Sequence, residues 1–162
     1  MPTDVKGGFT CGVAALDSYF AKHAYNNHCA GISQCYVAVE TPQPETVVGY
    51  YTLAAKSVDG GLLGPYVPVK SLPKYPLPVI YLGWFAVGTK FQGRGVGTRM
   101  LAEAMDMCAE AIEKIGAVGV FLEAYDEKAR IFYRNLGFVD LALAGPAPYP
   151  MILPRATLQK AT

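Results

Sequence analysis

The sequence predicts one mixed α/β domain, and three observations carry that expectation. At 162 residues the chain has the length of a single hydrophobic core. With 52% hydrophobic and 17% charged residues it has the composition of a folded protein, too apolar for a disordered tail. Its apolar residues recur at helical spacing in some segments and form strand-sized runs in others, and the two patterns alternate along the chain.

Taken in order, Thr10 is a candidate cap for a first helix over residues 13–25, where Val13, Leu16, Phe20 and Ala24 lie at helical spacing and Asn26 and Asn27 end it. Two β-rich runs, 34–40 and 46–54, flank Thr41-Pro42-Gln43-Pro44-Glu45; the prolines prevent a continuous strand, which predicts a hairpin. Residues 56–78 carry Gly60, Gly61, Gly64, Pro65, Pro68, Pro73, Pro76 and Pro78, a long irregular connection of the kind that is often functional, read here as a wall on the acceptor side. Residues 79–87 are apolar without alternation, as in a buried central strand, and Gly83 within them suggests a bulge or a close backbone approach. Val96, Met100, Leu101, Ala104, Met107, Cys108, Ala111 and Ile115 form the apolar stripe of a long helix ending near Gly116. A strand over 118–124, a helix over 127–135 capped by Asp126 and stopped by Gly137, and closing strands over 138–143 and 149–153 complete the order.

Several function classes fall away. The net charge of +1, from 14 basic and 13 acidic side chains, gives no global field for a polyanion, so any nucleic-acid contact must be a local patch. No stretch approaches the ~20 apolar residues of a spanning helix. The first eight residues lack the charged start and hydrophobic middle of a secretory signal, so the chain is expected to be soluble and cytoplasmic, with no membrane association. Cys11, Cys29, Cys35 and Cys108 show no CxxC spacing and are read as reduced thiols, Cys108 as core. The spacings among His23, His28, Cys29 and Cys35 match no zinc pattern, and no metal is expected. Tyr19, Tyr50, Tyr51 and Tyr81 read as packing residues, since base stacking needs exposed rings interleaved with cations.

The most informative stretch is Lys90-Phe91-Gln92-Gly93-Arg94-Gly95-Val96-Gly97-Thr98-Arg99, between a buried strand and the first turn of a helix. Alternating glycines leave backbone N–H groups unobstructed, and the helix start adds roughly half a positive charge, which makes a phosphate cradle. A P-loop would need Gly-Lys-Ser/Thr where Gly97-Thr98-Arg99 stands. A dinucleotide fingerprint from Gly95 would need a small residue in place of Met100.

Gln92-Gly93-Arg94-Gly95-Val96-Gly97 instead matches the Gln/Arg-x-x-Gly-x-Gly/Ala signature, and here the chain resembles the GNAT superfamily of acyl-CoA-dependent N-acetyltransferases. The likeness runs from the first helix through Phe85-Ala86-Val87 to Ala129-Arg130-Ile131-Phe132-Tyr133-Arg134-Asn135-Leu136-Gly137-Phe138. It implies a mixed, mainly antiparallel sheet flanked by helices, with splayed central strands, in a single GNAT domain over residues 1–162. It also implies acetyl-CoA as cosubstrate, its pyrophosphate held at Gln92, Gly93, Arg94, Gly95, Val96, Gly97 and Thr98, and its acyl arm paired like an added strand against Phe85, Ala86 and Val87.

More narrowly, Phe9-Thr10-Cys11-Gly12-Val13, Val48-Gly49-Tyr50-Tyr51-Thr52-Leu53, the proline-containing run into Leu82-Gly83, and Phe132-Tyr133 resemble the toxin branch of that superfamily, found in toxin-antitoxin pairs. This resemblance implies acetylation of the α-amino group of an aminoacyl-tRNA, a homodimer, and neutralisation by an antitoxin with a ribbon-helix-helix DNA-binding part. Where that branch often carries arginine in Leu-Gly-Arg-Leu-Ala-Val, this chain has Trp84. Lys90, Arg94 and Arg99, and separately Lys128, Arg130 and Arg134, are the candidate phosphate patches.

Acetyl transfer from a thioester to an amine needs a neutral amine, an oxyanion donor and a proton for the departing thiolate. An α-amine with a pKa near 8 has an appreciable neutral fraction at pH 7. The resemblance makes Tyr133 the general acid; backbone N–H on 85–87 is the expected oxyanion donor. Glu123 is the candidate base, and Asp126 is read as a helix cap. Two alternatives stay open: an N-acetyltransferase for small-molecule or protein amines, and a silent coenzyme A-binding module.

Overall fold

The computed structural model describes residues 8–43, 45–68, 70–141 and 145–160. The amino-terminal residues 1–7, Pro44 of the hairpin link and Leu143 at the end of an expected strand lie outside them. Two compact units divide the chain: Met1–Ala54 with Leu82–Ala104, and Ala55–Tyr81 with Met105–Thr162.

In the first unit, helices α1 (Ala14–Lys22) and α2 (Ala24–Cys29) precede strands β1 (Gln34–Val39) and β2 (Val47–Val58), whose last four residues belong to the second unit. β1 and β2 form the expected antiparallel hairpin, registered from Gln34↔Leu53 to Val39↔Val47. The later half of β3 (Leu77–Val87) lies here too, as does the start of α4 (Val96–Ile115). The Trp84 N–H donates to Thr52 Oγ1 (3.0 Å) and the Gly88 N–H to the Val48 carbonyl (2.8 Å). As one strand advances four residues the other retreats four, so β2 and β3 run antiparallel. The Trp84 N–H, one residue after Gly83, meets a side-chain hydroxyl rather than a backbone carbonyl.

An aromatic cluster fills this unit: Phe20 and Tyr50 are fully buried with ring centroids 4.6 Å apart, and Trp84 stacks on Tyr19 at 4.1 Å. The Tyr50 hydroxyl is satisfied by the Leu16 carbonyl at 2.8 Å, which lets a polar atom enter an apolar core. Gly49 permits the close approach of β2, β3 and α4. A Cβ there would stand 2.6 Å from the Ala86 carbonyl oxygen and 2.7 Å from Met100 Sδ.

The second unit holds α3 (Gly60–Leu63), the start of β3, β4 (Gly119–Ala124), α5 (Glu127–Asn135), β5 (Val139–Asp140), β6 (Tyr149–Pro154) and α6 (Arg155–Leu158). β4 pairs antiparallel with β6 from Gly119↔Pro154 to Ala124↔Tyr149, and β5 pairs antiparallel with β6. Its core gathers Val58, Leu63, Leu77, Val79, Phe121 and Ile152. Val120, Phe121 and Leu122 are buried in succession, as in a strand covered on both faces. The β3–β4 register is parallel and comprises Ile80↔Val120 and Tyr81↔Phe121. That is a short ladder for strands of 11 and 6 residues, so most of β3 lies outside it.

The strand order is β1-β2-β3-β4-β6-β5, mixed and mainly antiparallel as expected. Several elements differ from the sequence reading. The first helix is broken at His23, where φ −121° leaves the helical region, and Asn26 and Asn27 sit inside α2. Thr10 does not cap α1: its hydroxyl donates to Asp17 Oδ2 at 2.7 Å, and the N-cap is Val13 with no side-chain bond. β2 runs on to Val58 and β3 begins at Leu77, which shortens the irregular segment and leaves α3 inside it. The expected strand from residue 138 is only Val139–Asp140 among the described residues, and α6 has no counterpart in the sequence reading.

Candidate active site

The first unit carries the glycine-rich turn for which an anion cradle is expected. β3 ends at Val87, with Ala86 buried and Phe85 and Val87 half-buried, and a single tight turn (Thr89–Phe91) leads to Gln92. Gly93 and Gly95 take φ of +72° and +75°, the left-handed region that glycine enters without strain. A Cβ at either would meet nothing within 4 Å, so this backbone face is open. Val96 is buried and starts α4, with Gly97 half-buried and Thr98 exposed on its first turn. N–H groups at a helix start have no partner four residues back and favour an anion. Lys90, Arg94 and Arg99 are exposed, and none makes an ion pair among the described residues.

Gln92 does something its place in the signature did not announce. Its Nε2 donates to the Cys11 carbonyl (2.9 Å) and the Val87 carbonyl (2.8 Å), so its NH₂ group is spent on the protein. The fit to an acyl-CoA pyrophosphate rests on Gly93, Gly95 and the α4 start together with the unpaired cations.

The second unit carries Tyr133. The Asp126 carboxylate accepts from the Ala129 N–H at 2.8 Å, the expected cap of α5, and Gly137 at φ +98° follows its end. Tyr133 is 8% exposed and lies edge-on to Phe132 and Phe138, with centroids 5.2 and 5.6 Å away. Burial pushes its phenol well above the ordinary tyrosine value, which keeps the hydroxyl protonated at neutral pH.

Glu123 is already engaged. Tyr81 donates to its Oε2 (3.3 Å), and Lys56 Nζ sits 3.5 Å from the same oxygen while covering the Tyr81 and Phe121 rings at 4.4 and 4.8 Å. The expected patch of Lys128, Arg130 and Arg134 is largely neutralised. Asp140 Oδ1 accepts from Arg130 Nε and Oδ2 from Arg134 Nε, both at 2.7 Å, and Glu127 takes a second Arg130 nitrogen at 3.2 Å. Sequence reasoning missed Asp140 because its partners lie on a helix 10 and 6 residues upstream, with no local motif to join them. His28 is structural: its Nδ1 accepts from the Cys35 N–H at 3.2 Å. Trp84, where the toxin branch often has arginine, belongs to the aromatic core.

Residues 31–140 match the acetyltransferase (GNAT) domain family. The chain belongs to the GNAT acetyltransferases. This acetyltransferase is 38% identical over 130 residues to the tRNA-acetylating toxin of Mycobacterium tuberculosis (strain ATCC 25618 / H37Rv), covering 80% of this chain and 75% of that protein. Among solved structures, AtaT complexed with acetyl-methionyl-tRNAfMet matches with a TM-score of 0.80 at 29% identity, over 94% of this chain and 89% of that one. A tyrosine-to-phenylalanine mutant of AtaT, bound to the C-terminus of the antitoxin AtaR and acetyl-CoA, matches with a TM-score of 0.77 at 27% identity, over 98% and 89%. Among the described residues of the present GNAT chain, no helix is long and apolar enough to cross a membrane, and no group of three or more His, Cys, Asp or Glu could hold a metal ion.

Proposed function

We propose that this acetyltransferase moves the acetyl group of acetyl-CoA to the α-amino nitrogen of an aminoacyl-tRNA and so blocks its use in translation, acting as a toxin in the cytoplasm. The observation that carries this reading is the 38% identity, over 130 residues, to a protein named for acetylating tRNA. The cradle at Gly93, Arg94, Gly95 and the α4 start holds the pyrophosphate, and β3 backbone at 85–87, outside the short β3–β4 register, offers N–H groups to the acyl carbonyl.

The neutral amine attacks the thioester carbon and a C–N bond forms. As the C–S bond breaks, the Tyr133 hydroxyl gives its proton to the sulfur, and the proton shed by the attacking nitrogen restores the phenol through solvent. The products are free coenzyme A and N-acetyl-aminoacyl-tRNA. Tyr133 is in the acid form at neutral pH, and because burial raises its phenol the transfer has to be driven by the charge that develops on the sulfur as the C–S bond breaks. The whole chain acts as a single catalytic domain in a homodimer, held in check by an antitoxin whose DNA-binding part is a ribbon-helix-helix; the AtaR-bound relative supports an antitoxin of some kind.

The test is transfer of labelled acetyl to charged tRNA beside a panel of polyamines and peptides. Label on the panel but not on tRNA rejects the acceptor. Tyr133→Phe keeps the ring and removes the proton, so kcat is expected to fall by ~10²- to 10⁴-fold with acetyl-CoA affinity unchanged. An unchanged kcat removes Tyr133 from the mechanism.

A further inference from the structure

We propose that the connection between α3 and β3 is an RNA contact in which Tyr75 stacks on an unpaired base while Lys70 and Lys74 meet the neighbouring phosphates; this rests on the aminoacyl-tRNA reading above. Residues 60–102 contain five basic side chains, Lys70, Lys74, Lys90, Arg94 and Arg99, and no Asp or Glu. The near-neutral total therefore conceals a separation, with nine basic and thirteen acidic residues in the rest of the chain.

Within the second unit, carboxylates already hold Lys56, Lys114, Arg130, Arg134 and Arg155. Lys70 and Lys74 are exposed and make no ion pair among the described residues. Beside them the Tyr75 ring is 65% exposed. The segment is nevertheless anchored: Leu72 packs on the core that contains Leu63 and Val79, and Leu77 is 4% exposed. Pro73 and Pro76 fix φ between those anchors, so the backbone that carries exposed Tyr75 has little freedom to lose on binding. An exposed aromatic between cations is the arrangement that single-stranded RNA uses, the ring for a base face and the ammonium groups for phosphate. A protein partner would have to bring its own acids to a stretch that has none.

The test uses the full chain and uncharged tRNA, read by filter binding over a range of salt, with acetyl-CoA binding followed by calorimetry. Tyr75→Ala is expected to weaken tRNA binding by about 5- to 150-fold and Tyr75→Phe to preserve it. Replacing Lys70 and Lys74 together by alanine is expected to lower the salt slope by roughly 1.4 to 1.8. Acetyl-CoA affinity stays at the wild-type value throughout. Unchanged tRNA affinity and slope in these variants, with a wild type that binds tRNA, overturn the contact and leave the acceptor reading standing. A loss of antitoxin affinity in their place also overturns it. A wild type that acetylates small amines and binds no tRNA fails the acceptor reading, and this proposal with it.

Discussion

Gly95→Ala separates the cradle's geometry from its chemistry. At φ +75° an alanine bears about 1–2 kcal/mol of left-handed strain. Roughly 0.4–1 kcal/mol of that is offset by the stiffer unfolded chain. No clash adds to it, because nothing lies within 4 Å of the new methyl. The net cost of about 1 kcal/mol lowers Tm by only ~2–4 °C in a chain of this length, so the variant folds. In the proposed site, however, the methyl stands on the face that the phosphates reach. Losing one charge-assisted hydrogen bond there, about 1.5–3 kcal/mol, weakens acetyl-CoA binding by ~10- to 150-fold. Gly116→Ala is the control, since Gly116 has φ +78°, equally open surroundings and a place just beyond the far end of α4. It should show the same drop in Tm and wild-type affinity. Thermal melts and titration calorimetry on the three proteins decide the matter. A Gly95→Ala protein with the expected Tm and a Kd within about twofold of wild type would refute the assignment of these amides to the pyrophosphate.

Other outcomes follow from the same geometry. Gly49→Ala drives a methyl against the Ala86 carbonyl, which is backbone and cannot swing away, so urea unfolding should show a loss of about 1–3 kcal/mol. Burial raises the Asp140 carboxyl, but hydrogen bonds and charge from Arg130 and Arg134 outweigh it and leave the group below its ordinary range. The stability it contributes is present above its unfolded pKa of about 3.9 and is lost as pH falls through the lower folded value. Melts taken from neutral pH down to about pH 2 should therefore show a steeper acid decline in wild type than in Asp140→Asn. Burial pushes the thiols of Cys11 and Cys35 up to about 11 and that of Cys108 up to about 12, whereas Cys29 is exposed. Brief iodoacetamide treatment of the native protein should label Cys29 alone by mass spectrometry, and early label on Cys108 would contradict its place in the core.

The parts legible in the sequence were those whose causes are local. Asp126 and Gly137 bracket α5 where expected, because a cap bonds a backbone N–H three residues on and a stop needs only a positive φ. The glycine-rich turn was equally readable, since steric freedom belongs to the residue itself. What escaped depended on distant partners. The break at His23 interrupts a continuous apolar stripe, and no proline or glycine marks it. Arg130 and Arg134 of α5 looked available in sequence and are not, because β5 brings Asp140 between them. Thr10 looked like a cap, but α1 starts only at Ala14, so the Thr10 hydroxyl accepts from the Gly12 N–H and donates to Asp17 instead.

The two bonds made by the Gln92 carboxamide bear on how the coenzyme is received. A run with three glycines in six residues would otherwise sample many shapes, and a ligand arriving at it would have to freeze them. Because one side chain fastens the run to Cys11 and Val87, that ordering is completed during folding. In the proposed site a diphosphate therefore meets a receptor already in its binding form, and the affinity of a small contact surface is not eroded by loop entropy.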